Sequence, residues 1–344
     1  MDALTQIVLG AAVGEAVLGK KVGNKAALWG AVGGIVPDLD VVTAVFQGEY
    51  AYLVSHRSVT HSLAFCLLAA PILGWAVHQL YHRQVGSLRQ WGLLMLWTLL
   101  THIALDCFTT WGTQVFYPFS DYRVAFGTIF VVDPLYTLPL GVGLLLALAR
   151  RRDSRWRHVW NQLGLGLSSL YLVLTVVNKQ AVDFIFAETL HQAGRSVQRW
   201  TTYPTPGNNV LWYVVAEEPG SYDIGYVSLL DNLRKPHVRL YSLPKQHHLA
   251  SIAADDPMLE RLDWVSNGCY TLEQQGDTPI YHDLRMGLRN PWLPDTLTAA
   301  LPAFSYELLT GPDGLEDIRR LPLPAEVASI AAWRRFWEKM KGNY

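Results

Sequence analysis

Long apolar segments in the first half of the chain constrain its fold most strongly. A helix that crosses the hydrocarbon core of a bilayer needs roughly 20 predominantly apolar residues. Four segments are clear membrane-helix candidates: residues 63–81, 91–108, 134–149 and 162–177. Two further apolar segments, residues 3–18 and 26–36, are more polar or shorter. We therefore predict an all-α polytopic membrane domain of about six helices over residues 1–178.

The remainder of the chain, residues 179–344, has the composition of an ordinary soluble protein. Strands are predicted at 210–216, 222–230 and 237–243, because Pro-Gly and Asp-Asn turn signals separate these β-rich runs. A helical pattern continues from 178 to about 200, and further helices are predicted at 258–265 and 325–341. The second domain is therefore expected to be a soluble α+β domain.

Charge and cysteine usage exclude several classes of function. A net charge of −1 gives no basis for nucleic-acid binding. Three scattered cysteines imply neither a disulfide framework nor a thiolate zinc site. A basic n-region and a small-residue cleavage site are both missing from the start, so no cleaved signal peptide is expected.

The distribution of basic residues predicts the orientation in the membrane. Of the twelve Lys and Arg residues that flank the apolar segments, ten fall in three alternate turns, and two, Arg57 and Arg123, fall in the other loops. Basic loops are preferentially cytoplasmic. The protein is therefore expected to cross the cytoplasmic (inner) membrane several times, with both termini and the second domain outside.

Pairs of small residues in the first two apolar segments indicate close helix packing. Gly10 and Gly14 repeat at a four-residue spacing, as do Gly30 and Gly34. This spacing lets two helix backbones approach closely in lipid. The two segments are expected to form a tightly packed helical hairpin.

Carboxylates and imidazoles recur in the loops that this topology places at the outer face. His102 and Asp106 are spaced i, i+4 and therefore lie on one helical face. Carboxylates and imidazoles are typical ligands of zinc and similar ions. The expected ligands are Asp38, Asp40, His56, His61, His102 and Asp106. The alternatives are solvated turn residues, helix caps such as Ser62 or Thr60, and a His–Asp hydrogen bond that joins two helices.

Three further residues at the outer face are candidates for other roles. Asp2 and Asp133 each precede a predicted helix, where an aspartate can either cap the helix or accept a proton from a bound water. Arg57 cannot coordinate a cation, but its guanidinium can bind a phosphate through paired donors. Asp2 and Asp133 are therefore candidate catalytic residues, and Arg57 is a candidate substrate-binding residue.

Four motifs in order resemble one bacterial family. They are residues 1–6, residues 37–40, the segment 56–62, and residues 102–106 with Thr109 and Gly112. Together they resemble the YdjM-like family of inner-membrane proteins, which is identified with metal-dependent hydrolysis. The family is distantly similar to zinc-dependent phospholipase C and P1 nuclease. The resemblance covers roughly residues 1–150 and implies phosphoester hydrolysis with metals bound by His and Asp.

The residues and the resemblance together predict a membrane hydrolase that uses one or more divalent ions. Zinc is the expected ion, and carboxylate-rich ligation also suits manganese or magnesium. A site at the bilayer surface favours a lipid or lipid-linked phosphoester as the substrate. The alternatives are a structural anchor that displays the outer domain and an ion or solute transport module, and neither the substrate nor the oligomeric state follows from the sequence.

Overall fold

The structure is a computed structural model that divides the chain into two compact units. The first comprises residues 1–45, 55–176 and 206–208, and the second comprises 46–54, 177–205 and 209–344. Residues 43–45 are described by their backbone alone. The described residues are 1–82, 85–231, 238, 240–249, 256–276, 278–289, 302–311, 314–322 and 330–342.

Helices and short 3-10 turns make up the first unit. The turns are Pro37–Val41 and Val59–His61. Helix α3 contributes residues 46–54 to the second unit, and helix α7 passes from the first unit to the second after residue 176. The helices are α1 (Ala3–Val22), α2 (Asn24–Ile35), α3 (Val42–Ser55), α4 (Leu63–Leu80), α5 (Leu88–Cys107), α6 (Pro134–Leu148) and α7 (Arg155–Gln192).

In the part of the chain that the structure describes, three helices are long and apolar enough to cross a membrane: α1, α4 and α7. Helix α6 is apolar but has 15 residues, which is short for an untilted span. Helix α5 has 20 residues, but polar side chains such as Thr98, Thr101 and His102 interrupt its apolar pattern. The expected helical membrane region is present, and the count of six membrane helices stays a prediction.

Helices α1 and α2 form the predicted tight hairpin. A Cβ atom added at Gly10 would lie 2.3 Å from the carbonyl oxygen of Gly30, and one added at Gly14 would lie 2.3 Å from that of Ala26. No side chain fits at such distances from a rigid backbone. The glycine spacing therefore sets the distance between the two helices.

A buried ion pair joins α1 to α7. Arg157 donates from Nε and Nη2 to the two carboxylate oxygens of Glu15, each at 2.6 Å, and both side chains are at most 2% exposed. Nearby, Asn161 donates to the carbonyl of Ala12 at 2.9 Å. Glu15 therefore has the structural role expected for it. Arg157, one of the basic residues that predict the orientation, is an internal partner rather than a loop charge.

Two antiparallel four-stranded sheets and two helices complete the second unit. Each sheet joins its strands in sequence order, β1-β2-β3-β4 and β5-β6-β7-β8. The helices are α8 (Pro257–Ser266) and α9 (Ile330–Met340). The strands are β1 (Arg199–Pro204), β2 (Leu211–Glu217), β3 (Ser221–Ser228), β4 (Leu240–Pro244), β5 (Tyr270–Gln275), β6 (Thr278–Leu288), β7 (Pro302–Gly311) and β8 (Gly314–Arg320).

Strand β2 is buried on both faces. Successive side chains of a strand point to opposite faces. On one face Trp212, Val214 and Ala216 pack with apolar residues of α7 such as Phe186. On the other face Tyr213 packs near Leu284 of the second sheet, and its hydroxyl donates to the carbonyl of Arg285. The first sheet therefore lies between the end of α7 and the second sheet.

The sequence patterns located part of this unit correctly. The predicted strands at 210–216, 222–230 and 237–243 correspond to β2, β3 and β4, and the predicted helices at 258–265 and 325–341 correspond to α8 and α9. The predicted helical pattern to residue 200 extends too far, because α7 ends at Gln192 and β1 begins at Arg199. Strands β5 to β8 were not predicted. Arg83, the start of the strand at 237–243 and residues 325–329 of the last predicted helix lie outside the described residues.

The glycine contacts of the hairpin predict that adding one methyl group at this interface destabilises the protein. Gly10→Ala is expected to lower the free energy of unfolding by about 1–3 kcal/mol, because the added Cβ overlaps a backbone oxygen. Thermal unfolding of the purified protein in detergent measures this. Gly166→Ala in α7 is the matched control, because its added Cβ meets no described atom within 4 Å. Equal stability of the two variants would contradict tight packing of the hairpin.

Candidate metal centre

The contact between α2 and α5 sets the position of His102. Helix α2 ends at Ile35, so its last carbonyl groups lack partners within the helix. The ring of His102 lies with Nδ1 at 2.7 Å from the carbonyl oxygen of Gly34. Only a ring N–H can donate to a carbonyl, so Nδ1 carries a proton, and in the neutral tautomer Nε2 then has the lone pair that a metal ion requires. A carbonyl partner on the far nitrogen is typical of metal-binding histidines.

Asp40 organises the loop that carries the other histidines. Its Oδ2 accepts from the backbone N–H of Arg57 at 2.9 Å and from the hydroxyl of Thr60 at 3.2 Å. His56 Nδ1 lies 3.1 Å from Oδ1, and His61 Nδ1 lies 3.3 Å from Oδ2. One carboxylate in the 3-10 turn Pro37–Val41 therefore fixes the loop that carries His61 and orients its ring.

Four ligand atoms converge on one point. Among the described residues, one atom each from Asp38, His61, His102 and Asp106 lies within 4.8 Å of every other. The Nε2 atoms of His61 and His102 are 3.2 Å apart. Asp38 Oδ1 lies 3.4 Å from His61 Nε2 and 3.5 Å from His102 Nε2. Asp106 Oδ2 lies 3.4 Å and 3.8 Å from the same two nitrogens.

These distances fit a four-coordinate zinc site. Metal–ligand bonds of about 2.0–2.1 Å in a tetrahedron place neighbouring ligand atoms about 3.3–3.4 Å apart. Five of the six edges, measured above, range from 3.2 to 3.8 Å. The His and Asp donor set is also one that zinc accepts. These four side chains can therefore hold a divalent ion with little movement.

The carboxylate of Asp106 is fully buried and divides its contacts between its two oxygens. Oδ1 accepts from the amino group of Met1 and, at 2.9 Å, from the side-chain amide of Gln6. Oδ2 has no hydrogen-bond donor among the described residues, although Arg57 Nε lies 3.0 Å away. This oxygen faces the two histidines. Asp106 therefore presents one oxygen toward the ligand cluster and has the other occupied.

In the structure the side chain of Arg57 lies against Asp106, whereas the sequence predicted that it contacts the substrate. The side chain is 4% exposed, and its Nη1 donates to the hydroxyl of Thr109 at 2.6 Å. Its backbone has a φ of 60°, which is uncommon for a residue with a side chain. The bond from its N–H to Asp40 and the bond from Gln114 to its carbonyl oxygen hold this conformation. In this arrangement Arg57 supplies a buried positive charge beside Oδ2 of Asp106.

The protonation of the loop groups follows from these contacts. Burial opposes ionisation of Asp38, but the adjacent imidazole rings of His102 and His61 outweigh it and hold the pKa of this carboxyl well below its usual range. Burial also disfavours charge on His61, but the carboxylates of Asp106, Asp38 and Asp40 raise the pKa of His61 to about 10. The cluster therefore attracts one positive charge to its centre, as a cation site must.

Asp40 and His56, both predicted ligands, lie outside the group of four. Asp40 contacts the far nitrogen of His61 rather than the converging atoms. The ring of His56 lies edge-on to those of His61 and Trp111, with centroids 5.9 and 5.8 Å apart. These two residues form a hydrogen-bonded pair beside the cluster.

Asp2 and Asp133 occupy helix N-caps. Asp2 accepts from the backbone N–H of Thr5 at 3.0 Å and caps α1. Asp133 accepts from the backbone N–H of Leu135 at 2.9 Å and from the hydroxyl of Tyr171 at 2.8 Å. These contacts match the capping alternative for both residues, and neither belongs to the group of four.

Three contributors to the centre were not singled out as site residues by the sequence. They are the side-chain amide of Gln6, the hydroxyl of Thr109 and the carbonyl of Gly34. Gln6 and Thr109 lie within the motifs that resemble the family, and this position in the motifs could have indicated that they belong to the site. A backbone carbonyl leaves no signal in the residue type, so the role of Gly34 required the structure.

Comparison with known proteins places the chain in a family. The model of the YdjM inner membrane protein family matches residues 1–182, which include every residue of the metal cluster. The chain belongs to the YdjM family. The match confirms the predicted resemblance and the inner-membrane class of the protein. The more distant similarity to zinc-dependent phospholipase C and P1 nuclease stays a prediction.

Two curated relatives each match part of the chain. The uncharacterized protein YfhP of Bacillus subtilis (strain 168) is 33% identical over 184 residues, which are 51% of this chain and 51% of YfhP. The inner membrane protein YbcI of Escherichia coli (strain K12) is 33% identical over 120 residues, 33% of this chain and 68% of YbcI. The chain thus spans about half the length of the first relative. No solved structure matches the chain.

The geometry predicts which substitutions remove a bound metal. His61→Ala and His102→Ala are each expected to lose most of the divalent metal, because one of four ligands is removed. Metal analysis of the purified protein measures the content per chain. Asp133→Asn is the control, since Asp133 caps a helix outside the group of four, and it is expected to keep its metal. Equal trace metal in wild type and both histidine variants would show that the cluster is only a polar contact between helices.

Proposed function

We propose that this protein is a membrane-embedded, zinc-dependent hydrolase that cleaves a phosphoester of a lipid or lipid-linked substrate. The observation that carries the proposal is the convergence of Asp38, His61, His102 and Asp106 at tetrahedral spacing. Buried carboxylates and imidazoles are costly in a membrane protein and usually mark a functional site. Membership of an inner-membrane family supports a substrate that is itself part of the membrane.

Zinc is the proposed ion because of the number and type of the ligand atoms. Two imidazole nitrogens and two carboxylate oxygens suit a four-coordinate zinc site. Magnesium prefers six oxygen ligands in an octahedron and keeps several waters. Manganese is closer to magnesium in its ligand preference. The nitrogen ligands therefore favour zinc over the other two ions.

The protein side chains around the cluster suggest how a phosphoester would be cleaved. A zinc ion held by these residues would supply a Lewis acid that polarises the substrate, and with room for one further ligand it would also lower the pKa of a water molecule. His56, which pairs with Asp40 beside the cluster, is proposed to accept the proton of the attacking water. Asp40 holds the His56 ring in place. In this proposal Asp2 and Asp133 stabilise helices rather than transfer protons.

The two other functional classes are less well supported. A transport path requires ionisable groups at several depths, but the buried Glu15 is saturated by Arg157. A structural role is favoured by one observation: a protonated His61 would balance the charge of the carboxylates without a metal. The metal analysis above separates this alternative from a metal centre.

Hydrolysis of a panel of phospholipids tests the proposed reaction. The wild-type protein in proteoliposomes is expected to release a soluble phosphorylated product or inorganic phosphate, and His102→Ala is expected to be inactive. Activity that survives His102→Ala would place the reaction elsewhere.

Arg57→Lys is the most informative variant. Lysine lacks the planar fork of donors that holds both Asp106 and Thr109. We expect this variant to bind metal at least about tenfold more weakly, because it loses the guanidinium that positions Asp106 together with its charge-assisted hydrogen bond to Thr109, a kind of bond that contributes about 1.5–3 kcal/mol. Metal titration of the apo protein measures this. Unchanged metal affinity with lost turnover would instead assign Arg57 to the substrate, as the sequence predicted.

The proposed location of the centre at the outer face depends on the topology. The basic turns predict that both termini lie outside the cytoplasmic membrane. A reporter that is active only in the cytoplasm, fused to the C-terminus, is therefore expected to be silent. A reporter that is active only outside is expected to be active at the same position. The reverse result would place the centre and the second unit on the cytoplasmic side.

A further inference from the structure

A cavity of about 680 Å³ lies where the C-terminal end of α1 meets the start of α7. The two helices run antiparallel there, because Arg157 pairs with Glu15 and Asn161 contacts Ala12. This register brings Lys20 level with the residues around 152–155. Helix α1 begins beside Asp106, so its rise of 1.5 Å per residue separates the cavity from the metal cluster by about 25 Å.

The lining of the cavity is predominantly cationic. Lys20, Arg152 and Arg155 each contribute a full positive charge, and His158 adds a further nitrogen donor. Asp153 is the acidic residue of the lining, and it pairs with Arg152 at 3.6 Å in an exposed position. The lining therefore keeps an excess of positive charge and offers several donors to one anion. Guanidinium groups in particular bind phosphate through paired hydrogen bonds.

Side chains beside the cavity are those expected at the edge of a bilayer. Trp156 is 59% exposed, and exposed tryptophan is typical of the membrane–water interface. Val159 lines the cavity, and an exposed apolar stripe continues from it at spacings of three and four residues along α7. The stripe consists of Leu163, Leu167, Leu170 and Leu174, which are 47–65% exposed.

We propose that this cavity binds the phosphate group of an anionic phospholipid, with an acyl chain along the α7 stripe. The volume lies within the range of about 300–1,000 Å³ that is typical of small-molecule sites. Basic pockets between membrane helices bind anionic headgroups in this way. The site is independent of the metal cluster, since it lies at the other end of α1 and uses none of the same residues.

Thermal unfolding of the full chain in nanodiscs tests the proposal. The probes are phosphatidylglycerol, phosphatidylcholine and, for protein in detergent, inorganic phosphate. Wild type is expected to unfold at a higher temperature in phosphatidylglycerol than in phosphatidylcholine. In a lipid titration in detergent, Lys20→Gln/Arg155→Gln is expected to bind phosphatidylglycerol at least about tenfold more weakly, because two charge-assisted contacts to the phosphate are lost.

The control variant removes the same charge outside the cavity. Arg89→Gln/Arg151→Gln changes two exposed basic residues that do not line it, and it is expected to keep the wild-type response. An equal loss in both double variants would show a general surface effect and overturn the site. Equal stabilisation by inorganic phosphate and by phosphatidylglycerol would overturn the lipid as the source of the phosphate. If the double variant does not fold, Arg155→Gln alone carries the comparison.

Discussion

The buried negative charge of Asp106 is the constraint on which the candidate metal centre depends. A carboxylate without exposure is costly unless cations and donors compensate it. Four parts of the first unit supply that compensation: the amino group of Met1, the amide of Gln6, the guanidinium of Arg57 and the ring of His61. Because these groups come from Met1, from α1 and from the loop after α3, the charge ties distant segments of the unit to the end of α5.

The sequence predicted the parts of the centre that depend on local geometry. The i, i+4 spacing of His102 and Asp106 places both on one face of a helix, and their side chains are 3.8 Å apart in the structure. Ser62 caps α4 by accepting from Phe65, as one alternative required. Such features follow from the helical repeat and from capping chemistry, which a single segment specifies. The hairpin of α1 and α2 belongs to the same class, because glycine spacing encodes it.

The remaining features depend on contacts between distant segments. The contact between His102 and the carbonyl of Gly34, and the direction of the Arg57 side chain, follow from how helices and loops meet. Strand β5 was missed because it carries a polar run, Glu273 to Gln275, that has no apolar alternation. Its pairing with β6 is what makes it a strand. Local patterns therefore specify helices well here, while the second sheet and the exact ligand set require tertiary information.

Two buried polar groups in the first unit differ in how completely their hydrogen bonds are satisfied, and the difference favours a cation at the candidate metal centre. Glu15 and Arg157 are complete as a pair, because both carboxylate oxygens accept from the guanidinium at 2.6 Å. At the cluster, His61 and His102 point their Nε2 atoms at each other, and Asp106 Oδ2 lacks a described hydrogen-bond donor. The bond of His102 to Gly34 already uses its ring proton. A single proton on His61 Nε2 cannot serve both His102 Nε2 and Asp38 Oδ1, whereas a divalent cation at the centre can bind both of them together with Asp106 Oδ2, which also has Arg57 Nε at 3.0 Å.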